Sequence, residues 1–464
     1  MPVAARESDP AADEILWNVI EQHLNEAEFQ AEAFERAVES PAFTLDSLAR
    51  GPEWFLKAHV DGLAVGGALV LEQTLLPVVH APDPAVPGLI TAVALVLVES
   101  GQLERFGELL SHGDPQVRRA AARGGGLAGN AQADTWVRSR LRSASPSNHL
   151  AGTLAYLAQR REQLANPLFE WLQHGDPIVV AAAAEAAGTC DPCGHGSLLE
   201  WLLEHTAPEV QKAAVLPAVL AGSRRAWSLL QQSMGTGAAP AQAGQAALFA
   251  ALGGPQEHQL LASHLSSAKS RYASLFALGF SGNAELVPTL LPFLEDKDRD
   301  IRRVAAQSLA AIGGLHLLGD DYQTRSSGQG DARDLPPVED DPEALAALPP
   351  LDADDLDTAP FMPPEAALTE PNPEAFATWY KVEGSRLPAR SRLLAGKPFS
   401  LSTLRLFLRE APLRLREPVA LSLVARSKGR ARVDTRAFTA TQHAQLRALE
   451  GLDDRDLVGF VGGW

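Results

Sequence analysis

The stretch DPQVRRAAA at residues 114–122 decides the fold of this chain. An aspartate that accepts hydrogen bonds from free N–H groups, followed by a proline that has no N–H, is favoured at a helix start. Val117, Ala120 and Ala121 then fall at positions i, i+3 and i+4, which places them on one helical face. The stretch predicts a helix whose apolar face consists mainly of small side chains, so that a neighbouring helix can approach closely.

The same pattern returns at a regular interval. Its starting positions are 31 residues apart until the last step, which shortens to 29: Asp83, Asp114, Ser145, Asp176, Ala207, Ala238, Lys269 and Asp298. Two apolar columns four residues apart keep the same period: Phe106, Val137, Leu168, Leu199, Leu230 and Leu261, with Leu110, Leu141, Leu172, Leu203, Met234 and Leu265. Positions i and i+4 share a helical face. Each unit is therefore predicted to be a pair of helices, called here the first helix and the second helix.

A helix pair of this kind cannot bury its apolar face alone, so the pairs must stack. The sequence predicts an all-α protein with an α-solenoid of about eight pairs over residues 76–318. Gly253-Gly254 and Gly313-Gly314 are expected to end two of the first helices. Residues 1–75 have amphipathic helical patterns and are predicted to form a helical N-terminal cap.

Composition changes sharply after the repeats. Residues 319–373 contain 14 acidic residues against 2 arginines, with 10 prolines, and so carry −12 of the net charge of −17. Such a stretch is expected to be an acidic, Pro-rich linker, largely disordered. Residues 374–464 contain 16 basic and 9 acidic residues and are predicted to form a small, basic, mostly helical C-terminal domain.

Composition also narrows the function classes. Two cysteines exclude a disulfide framework, and no run of 18 apolar residues predicts a membrane span. The chain starts without a basic-then-apolar signal layout, so a cytoplasmic protein without membrane insertion is expected. A net charge of −17 argues against a protein that coats nucleic acid.

The repeats resemble the short HEAT type, whose units read Asp-Pro-x-Val-Arg-x-Ala-Ala and which occurs in phycobilin lyases. The ends of the chain resemble a bacterial HEAT-repeat family of unassigned function that is often encoded beside type VI secretion genes. The matching segments are EQHLNEAEF (21–29), AHVDGLAVGG (58–67), WY (379–380), GKP (396–398) and DTRAF (434–438). This resemblance implies an adaptor role near that secretion system and supplies no catalytic residues.

Few residue groups suggest catalysis or metal binding. Cys190, Cys193 and His195 supply three ligands at most where zinc needs four, so we interpret them as incidental residues of a turn. His23, His59 and Asp61 could form a base and its orienting partner, but the histidines lie on apolar helical patterns typical of structural side chains. We predict no cofactor and no metal.

The predicted partner-binding residues lie on the second helices and in the C-terminal basic cluster. They are Trp136, Arg138, Arg142, Trp171, Trp201, Glu204 and Arg225, with Arg409 and Arg416. Charges on successive second helices alternate in sign, which suits a protein partner better than DNA. The basic cluster could contact phosphates, an acidic partner, the acidic linker or solvent alone.

The sequence therefore favours a non-enzymatic scaffold or adaptor that binds a protein on the concave face of the solenoid. The resemblance implies that this partner is a type VI secretion component. One alternative is a HEAT-like enzyme of the DNA glycosylase or lyase type. A glycosylase would need a basic groove and a positioned carboxylate. The other alternative is nucleic-acid binding by the C-terminal domain.

Overall fold

Helices dominate the computed structural model, which describes residues 15–81, 86–142, 145–161, 168–191, 193–235, 242–324, 364–388 and 391–457. The chain begins with α1 (Trp17–Val38), α2 (Leu45–Arg50) and α3 (Pro52–Val65). A short α4 (Gly67–Val70), a π-helical turn (Leu71–Leu75) and α5 (Leu76–Val79) lead into the repeats. Thr44 starts α2 in a capping box with Ser47. Because α1 and α3 both pack against the first repeat helix, they cover that end of the array.

The described residues contain eight first helices and seven second helices. The first helices are α6 (Pro87–Glu99), α8 (Pro115–Ala128), α10 (Ser147–Arg160), α12 (Pro177–Cys190), α14 (Pro208–Leu220), α16 (Ala243–Leu252), α18 (Arg271–Leu278) and α20 (Arg299–Gly313). The second helices are α7 (Leu103–Leu110), α9 (Ala131–Arg140), α11 (Phe169–Leu172), α13 (Gly196–Leu202), α15 (Arg224–Gly235), α17 (Pro255–Ser263) and α19 (Val287–Leu290).

A helix begins within two residues of each predicted start that the structure describes, and the three predicted aspartate caps form, whereas Ser145 does not cap α10. The carboxylates of Asp114, Asp176 and Asp298 accept a hydrogen bond from the backbone N–H two residues later, at 2.7, 3.0 and 2.9 Å respectively. These bonds satisfy N–H groups that the helix itself leaves free. The predicted starts at Asp83 and Ala238 lie outside the described residues.

The two apolar columns form the core, as predicted. Every member is buried except Leu141, which is half-buried. The predicted glycine stops are also confirmed, because α16 ends immediately before Gly253 and α20 ends at Gly313. Neighbouring first helices pack in series, which makes this an all-α, HEAT-like solenoid.

The chain after the repeats is also mostly helical. It contains α21 (Pro373–Val382), the strands β1 (Leu393–Leu394) and β2 (Lys397–Pro398), α22 (Leu401–Glu410), α23 (Leu413–Arg426) and α24 (Thr439–Ala448). The strands form a small antiparallel hairpin in which Leu393 is opposite Pro398. α23 packs against α14 and α16, which contact each other little, and so it fills a break in the series of first helices.

Only the two ends of the predicted acidic linker are described, and both lie against the last repeat. The N–H of Thr324 donates to the carbonyl of Glu370 at 2.8 Å. The carboxylate of Glu370 pairs with Arg299 at 2.5 Å and with Arg302 at 2.8 Å. The rest of the predicted linker of residues 319–373, namely residues 325–363, lies outside the described residues, so its disorder stays a prediction.

No single helix among the described residues is both long and apolar enough to cross a bilayer. Residues Leu45–Val65 and Gly67–Val79 meet the length and composition requirement only when taken together, and the two segments are bent by 106°.

Candidate functional site

Arginines of the C-terminal segment, residues 391–457, bind the carboxyl ends of the first helices. The guanidinium of Arg392 donates to the carbonyls of Ala250, at the end of α16, and Phe280, just after α18, at 3.1 and 2.9 Å. Arg426 donates to the carbonyl of Ala251 at 3.2 Å. A helix leaves its last carbonyls unpaired and carries partial negative charge at that end, so a cation there is stabilising. Burial lowers the pKa of both guanidinium groups, that of Arg426 to about 10.

The same pattern continues along the array. Arg432 donates to the carbonyls of Thr189 and Cys190 at the end of α12. The backbone of the hairpin contributes as well, because Ala395 and Gly396 donate to carbonyls in the last turn of α20, each at 2.7 Å. Four first helices thus have their carboxyl ends satisfied by the C-terminal segment.

The C-terminal segment also binds the N-terminal cap. The N–H of Leu413 donates to the carbonyl of Phe43 at 2.8 Å, while the next residue, Arg414, donates to the hydroxyl of Tyr272. The N–H of Thr439 donates to the buried carboxylate of Glu53 at 2.7 Å. The segment therefore joins the first part of the chain to its seventh repeat unit, and it occupies much of the first-helix face of the solenoid.

A groove of about 510 Å³ stays open on this face, between the cap and the C-terminal segment. It crosses α8, α10 and α12, and its edge is formed by Arg436. Its polar lining consists of Glu35, Thr91, Gln116, Arg119, Arg123, Gln159, Arg161, Glu185, Thr189 and Arg436.

Three of the four arginines in the groove already have acidic partners. Arg123 donates to Glu35 at 2.6 Å, and Arg436 pairs with the same carboxylate at 2.5 Å. Burial alone would raise the pKa of Glu35, but these two guanidinium groups outweigh it and hold the pKa below its usual value. Arg161 pairs with Asp434 at 3.1 Å.

Charged side chains on three first helices make no ion pair with another described residue; Arg119, Glu185 and Lys212 are examples. They lie on α8, α12 and α14 respectively, and all three are exposed. Partial desolvation of the Glu185 carboxyl in the groove raises its pKa, while the positive charges of Arg119 and Lys212 lower it. The open surface thus presents charges of both signs.

Sequence reasoning missed these three residues, although a signal was present. Arg119 and Lys212 are three 31-residue periods apart, so both fall at the same position of their first helices. The sequence pattern instead indicates the second helices as the lining of the inner face. The structure shows that the chain's own C-terminal segment binds along the first helices instead.

The predicted residues on the second helices are not brought into this groove. Trp136 packs over Gly107, with the guanidinium of Arg140 at 4.6 Å from the centre of its ring, and Trp171 is buried. Trp201 is exposed, and Glu204 forms an ion pair with Arg225 at 2.5 Å. The exposed Arg138 and Arg142 lie at the end of α9, where Arg142 donates to the carbonyl of Ser139.

The two predicted residues of the basic cluster have different environments. Arg409 is exposed and pairs with Glu410 at 2.9 Å. Arg416 is completely buried and donates from Nε to the carbonyl of Leu408 at 2.5 Å. Burial lowers its pKa to about 10. A partner cannot reach this side chain, so Arg416 must be removed from the predicted binding surface.

The cysteine motif shows no sign of reactivity. Cys190 is buried at the end of α12, where its thiol donates to the carbonyl of Leu157 at 3.6 Å, and burial raises its pKa to about 11. Cys193 is exposed, and partial burial raises its pKa too. Both shifts disfavour the thiolate that metal binding and disulfide exchange require. Among the described residues, no group of three or more His, Cys, Asp or Glu could hold a metal ion.

His23 and His59 do meet, with their Nδ1 atoms 2.9 Å apart and their rings edge to face. Burial lowers the pKa of His59, and the charge of His23 acts in the same direction. The pair joins α1 to α3 within the cap, which is a packing role.

Comparison with known proteins finds one family match. Residues 255–320, which contain α17 to α20, match the model of HEAT repeats. No curated protein matches the chain.

Proposed function

We propose that this protein is a non-enzymatic scaffold that binds a protein partner in the open groove of the first-helix face. The observation that carries the proposal is the set of unpaired charges on that face, where Arg119, Glu185 and Lys212 lie on α8, α12 and α14. Adjacent packed helices are about 8–10 Å apart. Because α10 lies between α8 and α12, Arg119 and Glu185 are two helix spacings apart, whereas Glu185 and Lys212 are one apart. Charges that change sign along the face fit the mixed side chains of a protein segment and give the contact a fixed register.

Nucleic acid is a poorer fit to the same surface. A phosphate backbone needs a track of positive charge. In the groove, carboxylates already pair with Arg123, Arg161 and Arg436. Arginines of the basic C-terminal cluster are engaged too. Arg426 and Arg432 donate to helix carbonyls, and Arg405 and Arg430 pair with Glu450 and Asp456. The same pairing argues against a glycosylase, which would need a basic groove.

HEAT repeats commonly serve as protein-binding scaffolds, and the match to that family is consistent with the proposal. The resemblance of the chain's ends to the family encoded beside type VI secretion genes makes a component of that system the first partner to test. We place this scaffold in the cytoplasm, where such an adaptor would act.

The test uses the full chain with a photo-cross-linking amino acid at one position per variant. Positions 119 and 212 report on the first-helix face, and positions 142 and 225 report on the second helices. We expect the same protein to be captured at 119 and 212, and only background at 142 and 225. Capture at 142 and 225 alone would contradict partner binding in the groove and support the second-helix prediction. No capture at any position would contradict the scaffold function.

A charge-reversal pair checks that the contact is electrostatic. The double variant Arg119→Glu with Lys212→Glu should weaken the captured complex at least tenfold, as measured with the purified partner. The matched control is Arg224→Glu with Arg225→Glu on α15, which should leave the affinity within twofold. Equal affinity of both double variants would show that Arg119 and Lys212 do not contact the partner.

A further inference from the structure

The break between α14 and α16 contains a second opening, independent of the groove. α23 packs against both helices but does not fill the space between them. What is left is a cavity of about 400 Å³ among α14, α16, α18, α23 and the end of α1. Protein interiors hold few voids larger than a water molecule, whereas small-molecule sites measure about 300–1,000 Å³. The cavity has the size of a ligand site.

Most of the cavity wall is apolar. Val38 comes from α1, Leu216 from α14, Leu248 from α16, Phe276 from α18 and Leu421 from α23. Because five different helices contribute, the wall is fixed by the fold rather than by one mobile loop. Gly244, which is exposed near the start of α16, also lines the cavity, and an added Cβ there would meet nothing within 4 Å.

The charged side chains that line the cavity differ in whether they already have a partner in the chain. Glu39 pairs with Arg436 at 2.9 Å. The guanidinium of Arg414 donates to the hydroxyl of Tyr272 and lies 4.4 Å from the ring centre of Phe276. The carboxylate of Glu417 also lines the cavity and makes no hydrogen bond or ion pair with another described residue, although its charge helps to raise the pKa of Arg436. A carboxylate beside an apolar wall favours a ligand that brings a positive charge and hydrocarbon together.

We propose that this cavity binds a cationic amphipathic small molecule, with an alkylammonium as the simplest example. The ammonium group pairs with Glu417, and the alkyl chain lies among the leucines of α14, α16 and α23. Longer chains should bind more tightly, by about fourfold per methylene while the cavity has room.

The test is calorimetric titration of the full chain with hexyl-, octyl- and decylammonium, with octanol and octanoate as neutral and anionic probes. We expect octylammonium to bind and octanoate to bind at least tenfold more weakly. Glu417→Gln should weaken octylammonium binding at least tenfold and leave octanol within twofold. The matched control Glu410→Gln, an exposed carboxylate on α22, should change neither.

A filling variant shows where the probe binds. Gly244→Leu places a side chain in the open space, so it should abolish binding of all probes while the melting temperature stays the same or rises. Absence of octylammonium binding by the wild-type chain would overturn the proposal. So would unchanged binding in both Glu417→Gln and Gly244→Leu, or equal binding of octanoate and octylammonium.

Discussion

Replacing Arg392 by methionine should destabilise the solenoid through the carboxyl ends of two first helices. The guanidinium is buried and donates to Ala250 and Phe280 at 3.1 and 2.9 Å. Methionine has a similar length but no donor, so the carbonyl of Phe280 would lose its partner and that of Ala250 would keep only the ring of His258. Hydrogen bonds to charged groups contribute about 1.5–3 kcal/mol each, so two lost bonds give about 3–6 kcal/mol.

The assay is urea unfolding followed by circular dichroism, with hydrogen exchange to locate the change. The control is Arg405→Met, since Arg405 forms a partly exposed ion pair with Glu450 at 3.0 Å and such a pair contributes about 1 kcal/mol or less. We expect the loss in Arg392→Met to exceed that of the control by about 2 kcal/mol or more, with faster exchange at the ends of α16 and α18. Equal losses in the two variants would refute the claim that the C-terminal segment stabilises these helix ends.

Three further changes test other parts of the structure. Burial lowers the pKa of His258 to about 4, against about 6.5 in the unfolded chain. The neutral, buried ring therefore contributes its full stabilisation of the fold above pH 6.5. The unfolding free energy should fall by about 3 kcal/mol as the pH drops to 4. His258→Gln should flatten the dependence of the unfolding free energy on pH over that range, and an unchanged slope would contradict this reasoning. Gly282→Ala would put a Cβ 2.2 Å from the carbonyl oxygen of Leu393. It should lower the melting temperature clearly more than the control Gly101→Ala, where φ is also positive but the space around the Cβ is open. Similar losses in the two variants would show that no clash occurs. Ala207 has the same extended backbone conformation as the capping residue Asp176, so Ala207→Asp should supply the helix cap found at other repeats. The unfolding free energy should rise by about 0.5–1 kcal/mol. A decrease would show that this repeat start differs from the others.

The repeat array could be predicted from the sequence because its determinants are local. The cap at Asp176, the apolar columns and the stop at Gly253 each act within one or two helical turns. Because the period is constant, a helix pattern that is weak in one unit becomes clear when it recurs in many units. The period changes only at the last step, to Asp298, and a helix begins there as predicted.

The placement of the C-terminal segment could not be predicted in the same way. Arg392, Arg426 and Arg432 bind backbone carbonyls, and a carbonyl leaves no mark in the sequence that would identify it as a partner. A cluster of arginines therefore has the same appearance whether it faces solvent, phosphate or the end of a helix. The candidate binding residues were placed on the second helices because nothing in the sequence shows which helix face the rest of the chain covers.

The placement of the C-terminal segment on the first-helix face is tested most directly by amide hydrogen exchange of Leu393, Ala395 and Gly396 in the full chain. These three amides donate to carbonyls of the repeats at 2.7–2.8 Å. If the segment is an integral part of the solenoid, the amides should exchange about a thousandfold or more slowly than in an unstructured peptide. Exchange within about tenfold of the peptide rate would show that the segment is tethered rather than bound, and would contradict the arrangement described above.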